Sequence, residues 1–172
     1  SETAEGVHKR IIDTYMRSSK YRKGKLTDEK LDKLMALITC TADVNAFANV
    51  DLAIEAIFEN MAAKIDALKM FDKICKKGAV LSTNTSALDV DTIAEATSRP
   101  EDVVGMHFFS PANIMKLLEV VQTKHSSKQT LANVIALAPK IGKIPIVAGN
   151  CYGFIGNRML HPYLTEAINL VE

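Results

Sequence analysis

The 172-residue chain is 48% hydrophobic and 24% charged with a net charge of +1, the balance of an ordinary globular domain. Near-neutrality gives no electrostatic case for nucleic acid or an anionic membrane surface, and no apolar run reaches the length of a membrane span. Cys40, Cys75 and Cys151 are scattered and odd in number, which argues against a disulfide framework and against a metal site, and suits an intracellular, reducing compartment.

In chain order, residues 4–35 read as a helical hairpin turning around Lys23-Gly24-Lys25. Val7, Ile11, Ile12 and Tyr15 fall at helical spacing, and Thr27 is placed to cap the second helix. MALITC (35–40) and DLAIEAIF (51–58) read as strands, the latter followed by a helix over 61–76. GAVLST (78–83) reads as a third strand, with a short helix in DVDTIAEAT after it. VVGMHFF (103–109) and KLLEVVQ (116–122) are strands four and five, 126–142 a helix, and KIPIVAG (143–149) a sixth strand. From Asn150 onward Leu160, Leu164, Ile168 and Val171 mark a helix that runs to the end. Strands alternating with helices of this length predict an α/β fold with a largely parallel, doubly wound sheet.

Such a sheet holds its ligand at the carboxyl ends of its strands. Polar residues gather there: Glu59-Asn60, Asn84-Thr85-Ser86, His107 and, before the last helix, Asn150, Asn157 and Arg158. A dinucleotide-binding sheet normally opens on a G-x-G-x-x-G turn, yet no two of the eight glycines are separated by a single residue.

Each residue has a plain reading beside a functional one. A lone strand histidine such as His107 is a satisfied core residue; Glu119, which interrupts another apolar strand, makes the two either a mutually satisfied core pair or a carboxylate orienting a catalytic imidazole. Ser86 could cap the following helix, Asn157 could be a helix-start residue, and Lys64 a solvated helix residue unless the fold turns it toward a ligand. The basic run Arg10, Arg17, Lys20, Arg22, Lys23 and Lys25 is a solvated face or meets a phosphorylated ligand.

The segments EAIFEN (55–60), NTSAL (84–88), GMHFFSPANIMKLLEVV (105–121), KIGKIPIVAGNCYGFIGNRML (140–160) and HPYLTEAI (161–168) together resemble the L-3-hydroxyacyl-CoA dehydrogenase family across essentially the whole chain. HFFSPA with GNCYGFIGNRM is most similar to the dehydrogenase part of peroxisomal multifunctional β-oxidation enzymes; the monofunctional mitochondrial enzyme tends to carry Asn in place of Ser110. The resemblance implies oxidation of L-3-hydroxyacyl-CoA to 3-ketoacyl-CoA with hydride transfer to NAD. His107 would be the general base, Glu119 its partner, and Ser86 and Asn157 would hydrogen-bond the substrate. Ala56, Glu59, Lys64, Ser86 and Ser110 would border NAD, and Arg17, with Arg10 beside it, would meet the coenzyme A phosphates. It implies no resident metal, a peroxisomal setting, and a homodimer where the helical domain is present.

Family members open with a strand, the glycine-rich turn and a second strand ending in an acidic residue, and these are not among the residues given. The expectation is therefore a Rossmann-like sheet lacking its first strand-turn-helix and second strand: residues 1–149 a partial NAD-binding domain, and 150–172 the first helix of an all-α domain. Taken as an incomplete chain it would bind NAD weakly. A non-catalytic CoA-binding or interaction fragment, or a related dehydrogenase of another hydroxy acid, are the alternatives.

Overall fold

The structure, a computed structural model, describes residues 3–171; Ser1, Glu2 and Glu172, which bound the two expected segments, lie outside the described residues. The chain divides into two compact units, Ser1–Ala46 and Phe47–Glu172.

The first unit is helical: α1 (Ala4–Met16), α2 (Ser19–Arg22) and α3 (Asp28–Met35). Each begins on a hydroxyl cap, Thr3, Ser18 and Thr27, whose side chain accepts from the amide of Gly6, Tyr21 and Lys30 respectively. The hairpin therefore has a third, single-turn helix between its arms. The strand expected at 35–40 does not form. Met35 closes α3, where it is buried with Leu31 one turn earlier, and the amides of Leu37 and Ile38 turn back onto the carbonyls of Leu34 and Met35. Apolar residues that end a helix look the same in sequence as a short strand, and among the described residues these pair with no strand.

The second unit is a five-stranded sheet in the order β1 (Leu52–Glu55), β2 (Val80–Thr83), β3 (Val103–Phe108), β4 (Leu117–Gln122) and β5 (Ile144–Gly149). All neighbours are parallel except β3 and β4. The segment linking those two is too short to hold a crossover helix, so the chain must turn back antiparallel. The parallel steps are bridged by α4 (Met61–Ile74), α5 (Val90–Glu95) and α6 (Lys128–Lys140). Residues of α4 and α5 pack with Ala53, Leu81 and Val103 on one side of the sheet. Val134 and Ala138 of α6 pack with Val104, Met106 and Leu118 on the other. The alternation of side chains along a strand produces this two-sided core.

β1 is shorter than the expected 51–58. The Glu55 carboxylate accepts from the amide of Ile57 at 2.7 Å, which takes that amide out of the ladder, and Ile57 and Phe58 are exposed. Asn150–Ile155 is a turned loop, and only then does α7 (Gly156–Asn169) begin, with no residue buried. Among the described residues no helix is long and apolar enough to cross a membrane.

Candidate active site

The antiparallel step places His107 directly opposite Glu119 in the register of β3 and β4. Directly opposed residues of an antiparallel pair project to the same face, so a separation of twelve residues in the chain becomes side-chain contact. His107 Nδ1 lies 2.6 Å from Glu119 Oε2, with His107 6% and Glu119 0% exposed. The other carboxylate oxygen, Oε1, accepts from the backbone amides of Ile155 at 3.0 Å and Gly156 at 2.8 Å, at the start of α7. A helix start leaves amides without partners, and Glu119 fills that place from a neighbouring strand.

The segment that presents these amides is tightly formed. Phe154 is buried with φ 48°, in the left-handed region that is strained for a side-chain-bearing residue. At Gly156 an added Cβ would meet the Phe109 ring at 2.7 Å, and that ring stands 4.5 Å from the His107 imidazole. The Phe154 ring lies 5.7 Å away on the same histidine. His107 is thus held by Glu119 and two aromatic rings, while its Nε2 makes no hydrogen bond to any described residue. The two backbone amides facing Glu119 are donors, and Nδ1 joins them as a donor when the imidazole carries its proton there. With Nδ1–H donated to Glu119, Nε2 keeps its lone pair and can take a proton.

Ser86 and Asn157 come together beside this pair, Asn157 Nδ2 donating to the Ser86 carbonyl at 3.4 Å. Ser86 does not cap α5. Asp89 does, accepting from the amides of Asp91 and Thr92. Instead Ser86 donates through both its amide (2.8 Å) and its hydroxyl (3.1 Å) to Glu59 Oε1, which also accepts from the Thr85 hydroxyl at 2.6 Å. Burial works to raise the Glu59 pKa, but the Thr85 and Ser86 hydrogen bonds and the charge of Lys64 outweigh it and hold the carboxyl below its ordinary value.

Lys64 departs most from its plain sequence reading: it is 1% exposed rather than solvated. Its ammonium lies 2.7 Å from Glu55 Oε1, 3.4 Å from Glu59 Oε2 and 3.3 Å from the Ile57 carbonyl. Ala56, directly after β1, and Ser110, two residues beyond β3, are exposed at the same ends of the strands, and the Ser110–Pro111 peptide is cis. Lys143 pins the loop after Ser110 by donating to the carbonyls of Ala112 and Met115. Among the polar residues expected before the last helix, Asn150 bonds Asp89 and the amide of Val90, and Arg158 donates to Cys151 Sγ, so only Asn157 reaches Ser86. Arg10 and Arg17 belong to the helical unit, within α1 and at its C-cap. Among the described residues no cluster of His, Cys, Asp or Glu is arranged to hold a metal ion.

Sequence reading missed Glu55 and the amides of Ile155 and Gly156. Backbone amides leave no trace in residue identity. Glu55 did leave one, since it falls two residues after buried Ala53 on the inward face of β1.

A family profile described as "3-hydroxyacyl-CoA dehydrogenase, NAD binding domain" matches residues 1–151. The human peroxisomal bifunctional enzyme is 53% identical over 132 residues, which cover 77% of this chain and 18% of that protein. The Arabidopsis thaliana peroxisomal fatty acid beta-oxidation multifunctional protein MFP2 is 43% identical over 154 residues, 90% of this chain and 21% of that protein. Among solved structures, 3-hydroxybutyryl-CoA dehydrogenase from Escherichia coli K12 superposes with a TM-score of 0.86 at 33% identity, covering 98% of this chain and 34% of that one. The chain therefore spans about a fifth of the length of these curated relatives. With its sheet, its strand-end polar network and these likenesses together, the chain belongs to the 3-hydroxyacyl-CoA dehydrogenase family, in the NAD binding domain of that family.

Proposed function

We propose that this chain carries the catalytic residues of an NAD-dependent oxidation of L-3-hydroxyacyl-CoA to 3-ketoacyl-CoA, a step of fatty-acid β-oxidation. The observation that carries the reading is the buried His107–Glu119 pair, with Nδ1 engaged and Nε2 left to accept a proton. His107 Nε2 takes the proton of the substrate 3-hydroxyl. Glu119, 2.6 Å from Nδ1, stabilises the imidazolium as it forms, and the Ile155 and Gly156 amides keep the carboxylate in place for that role. Ser86 and Asn157 orient the substrate through its hydroxyl and thioester oxygens, a gain in positioning rather than in proton transfer. In the helical unit, Arg17, with Arg10, is our candidate for binding phosphate groups such as those of coenzyme A.

The residues present suit the nicotinamide end of NAD. Glu59 is partly exposed at the edge of an otherwise buried polar network, and Ala56, Lys64, Ser86 and Ser110 surround the same strand ends. Bound there, NAD supplies the acceptor for the hydride from substrate C3. None of the chain's glycines forms a G-x-G-x-x-G turn, so the pyrophosphate finds no cradle of that kind among these residues.

The test is oxidation of 3-hydroxybutyryl-CoA in excess NAD, followed by NADH absorbance, beside free 3-hydroxybutyrate. Turnover of the thioester alone is expected. Equal turnover of the free acid would replace the acyl-CoA reading with that of another hydroxy-acid dehydrogenase. The names of the human and Arabidopsis relatives support a peroxisomal setting, and three scattered thiols suit a reducing one. We read α7, which buries none of its residues, as the first helix of a helical domain beginning near residue 150, through which the protein forms a homodimer. Light scattering on the protein would test the dimer.

A further inference from the structure

Glu55 has no part in the chemistry above, yet it is buried and both of its carboxylate oxygens are hydrogen-bonded. It is 2% exposed at the end of β1. Oε1 accepts from Lys64 Nζ at 2.7 Å and from the Ile57 amide at 2.7 Å, and Oε2 accepts from the Thr83 hydroxyl at 2.6 Å. A buried ion pair in a sheet–helix core is seldom more stabilising than two apolar side chains of similar size, so stability alone gives little reason for it.

The Lys64 ammonium stands between two carboxylates, with Glu55 the nearer and Glu59 0.7 Å farther by the difference of 3.4 and 2.7 Å. Glu59 is the outer member, 41% exposed at its side chain, and its Oε1 is committed to the Thr85 hydroxyl and to the amide and hydroxyl of Ser86. The oxygen that faces Lys64, at 3.4 Å, is the other one, Oε2, so a lysine released by Glu55 would draw on Glu59 from the side away from Ser86. A buried ammonium without Glu55 would close on the one carboxylate left beside it.

We propose that Glu55 is a positioning residue: it anchors Lys64 from the inner side, so that Glu59 remains turned toward Ser86 and fixes the Ser86 hydroxyl at the edge of the site. The functional consequence rests on the reading of Ser86 and Glu59 as ligand-contacting residues; the geometric claim does not. The chain of contacts runs Thr83–Glu55–Lys64–Glu59–Ser86 and continues through the Ser86 carbonyl to Asn157. It links the inner end of β1 to the residues beside His107.

The test compares the wild-type protein with Glu55→Gln, and with Glu55→Gln combined with Lys64→Met, by ¹⁵N NMR of the unliganded protein. In the single variant the Ser86 amide resonance moves as its Glu59 acceptor swings toward Lys64. In the double variant it returns toward the wild-type position. A Ser86 resonance that stays put while thermal stability falls would make Glu55 merely structural and overturn the proposal, as would equal displacement in both variants. Should Glu55→Gln fail to fold, Glu55→Asp keeps the charge but shortens the reach. A moved Ser86 amide there supports the proposal and an unmoved one refutes it. In turnover, KM for NAD is expected to rise about tenfold in Glu55→Gln, the loss expected of one charge-assisted contact, and kcat to fall with it because the displaced Ser86 also orients the substrate. Absence of turnover in the wild type would sink the dehydrogenase reading and leave the NMR comparison to decide the role of Glu55.

Discussion

Glu119→Gln isolates the chemistry of the His107 pair from its packing. The side chain keeps its shape, and the amide oxygen can still accept from Ile155 and Gly156, the contacts now at 3.0 and 2.8 Å. That orientation points the new NH2 group at His107 Nδ1, which now lies 2.6 Å from Oε2. Two donors cannot share that distance, so the imidazole must carry its proton on Nε2, and the atom that should accept the substrate proton is blocked. The variant also loses the charge-assisted partner of the imidazolium, worth about 1.5–3 kcal/mol, or roughly 10- to 150-fold. Loss of general-base catalysis costs about 10²- to 10⁴-fold and includes the partner's contribution, so kcat should fall by about 10²- to 10⁴-fold. Both amide contacts survive, so the unfolding temperature should change little. The assay is kcat from NADH formation at saturating 3-hydroxybutyryl-CoA, with the His107 tautomer read by ¹⁵N NMR. Activity within about threefold of wild type, or a histidine that keeps its proton on Nδ1, would refute the reasoning.

Gly156→Ala should displace the Phe109 ring, since the new Cβ would lie 2.7 Å from its tip; a misplacement near 1 Å beside His107 predicts a loss of activity of about 10²-fold at a cost of about 1–3 kcal/mol in stability, measured by turnover and urea unfolding. Acid should weaken the fold through Glu59 and Asp72. Burial raises both pKa values, but hydrogen bonds and cations overcome it and leave both below the ordinary 4.5 and 3.8. A lowered folded value means the stabilisation is present above the ordinary pKa and is lost as pH falls through the folded one, so unfolding temperature should hold above about pH 5 and drop below it. Glu59→Gln should flatten part of that drop, and an unchanged acid limb would contradict the assignment. A polypeptide of residues 1–172 alone should bind NAD with Kd weaker than about 0.1 mM by calorimetry, because no glycine-rich turn is present to hold the pyrophosphate; micromolar binding would show that another element does so.

The alternation of strands and helices was legible because each crossover helix separates apolar runs of different period. Its one false strand, MALITC, came from the end of the Leu31–Met35 helical stripe, where short apolar runs are ambiguous. His107 and Glu119 were visible as two interruptions in apolar strands, but their contact depends on the antiparallel register, which the tight link between β3 and β4 imposes. The solvated reading of Lys64, the ordinary one for a helical lysine, fails because the helix turns it inward. It sits four residues before buried Leu68, and Phe71 and Cys75 continue the line, so it occupies the inward stripe of α4. Charged residues on an inward stripe or an inward strand face, as with Lys64 and Glu55, were the available signal for the polar network. The amides that hold Glu119 left no such signal.

The central claim is that His107 is the base, and the most direct measurement compares the rate of 3-hydroxybutyryl-CoA oxidation by the wild-type protein and by His107→Gln under saturating NAD. The account predicts that kcat falls by about 10²- to 10⁴-fold while the variant unfolds at a temperature close to wild type. Equal rates in the two proteins would contradict it.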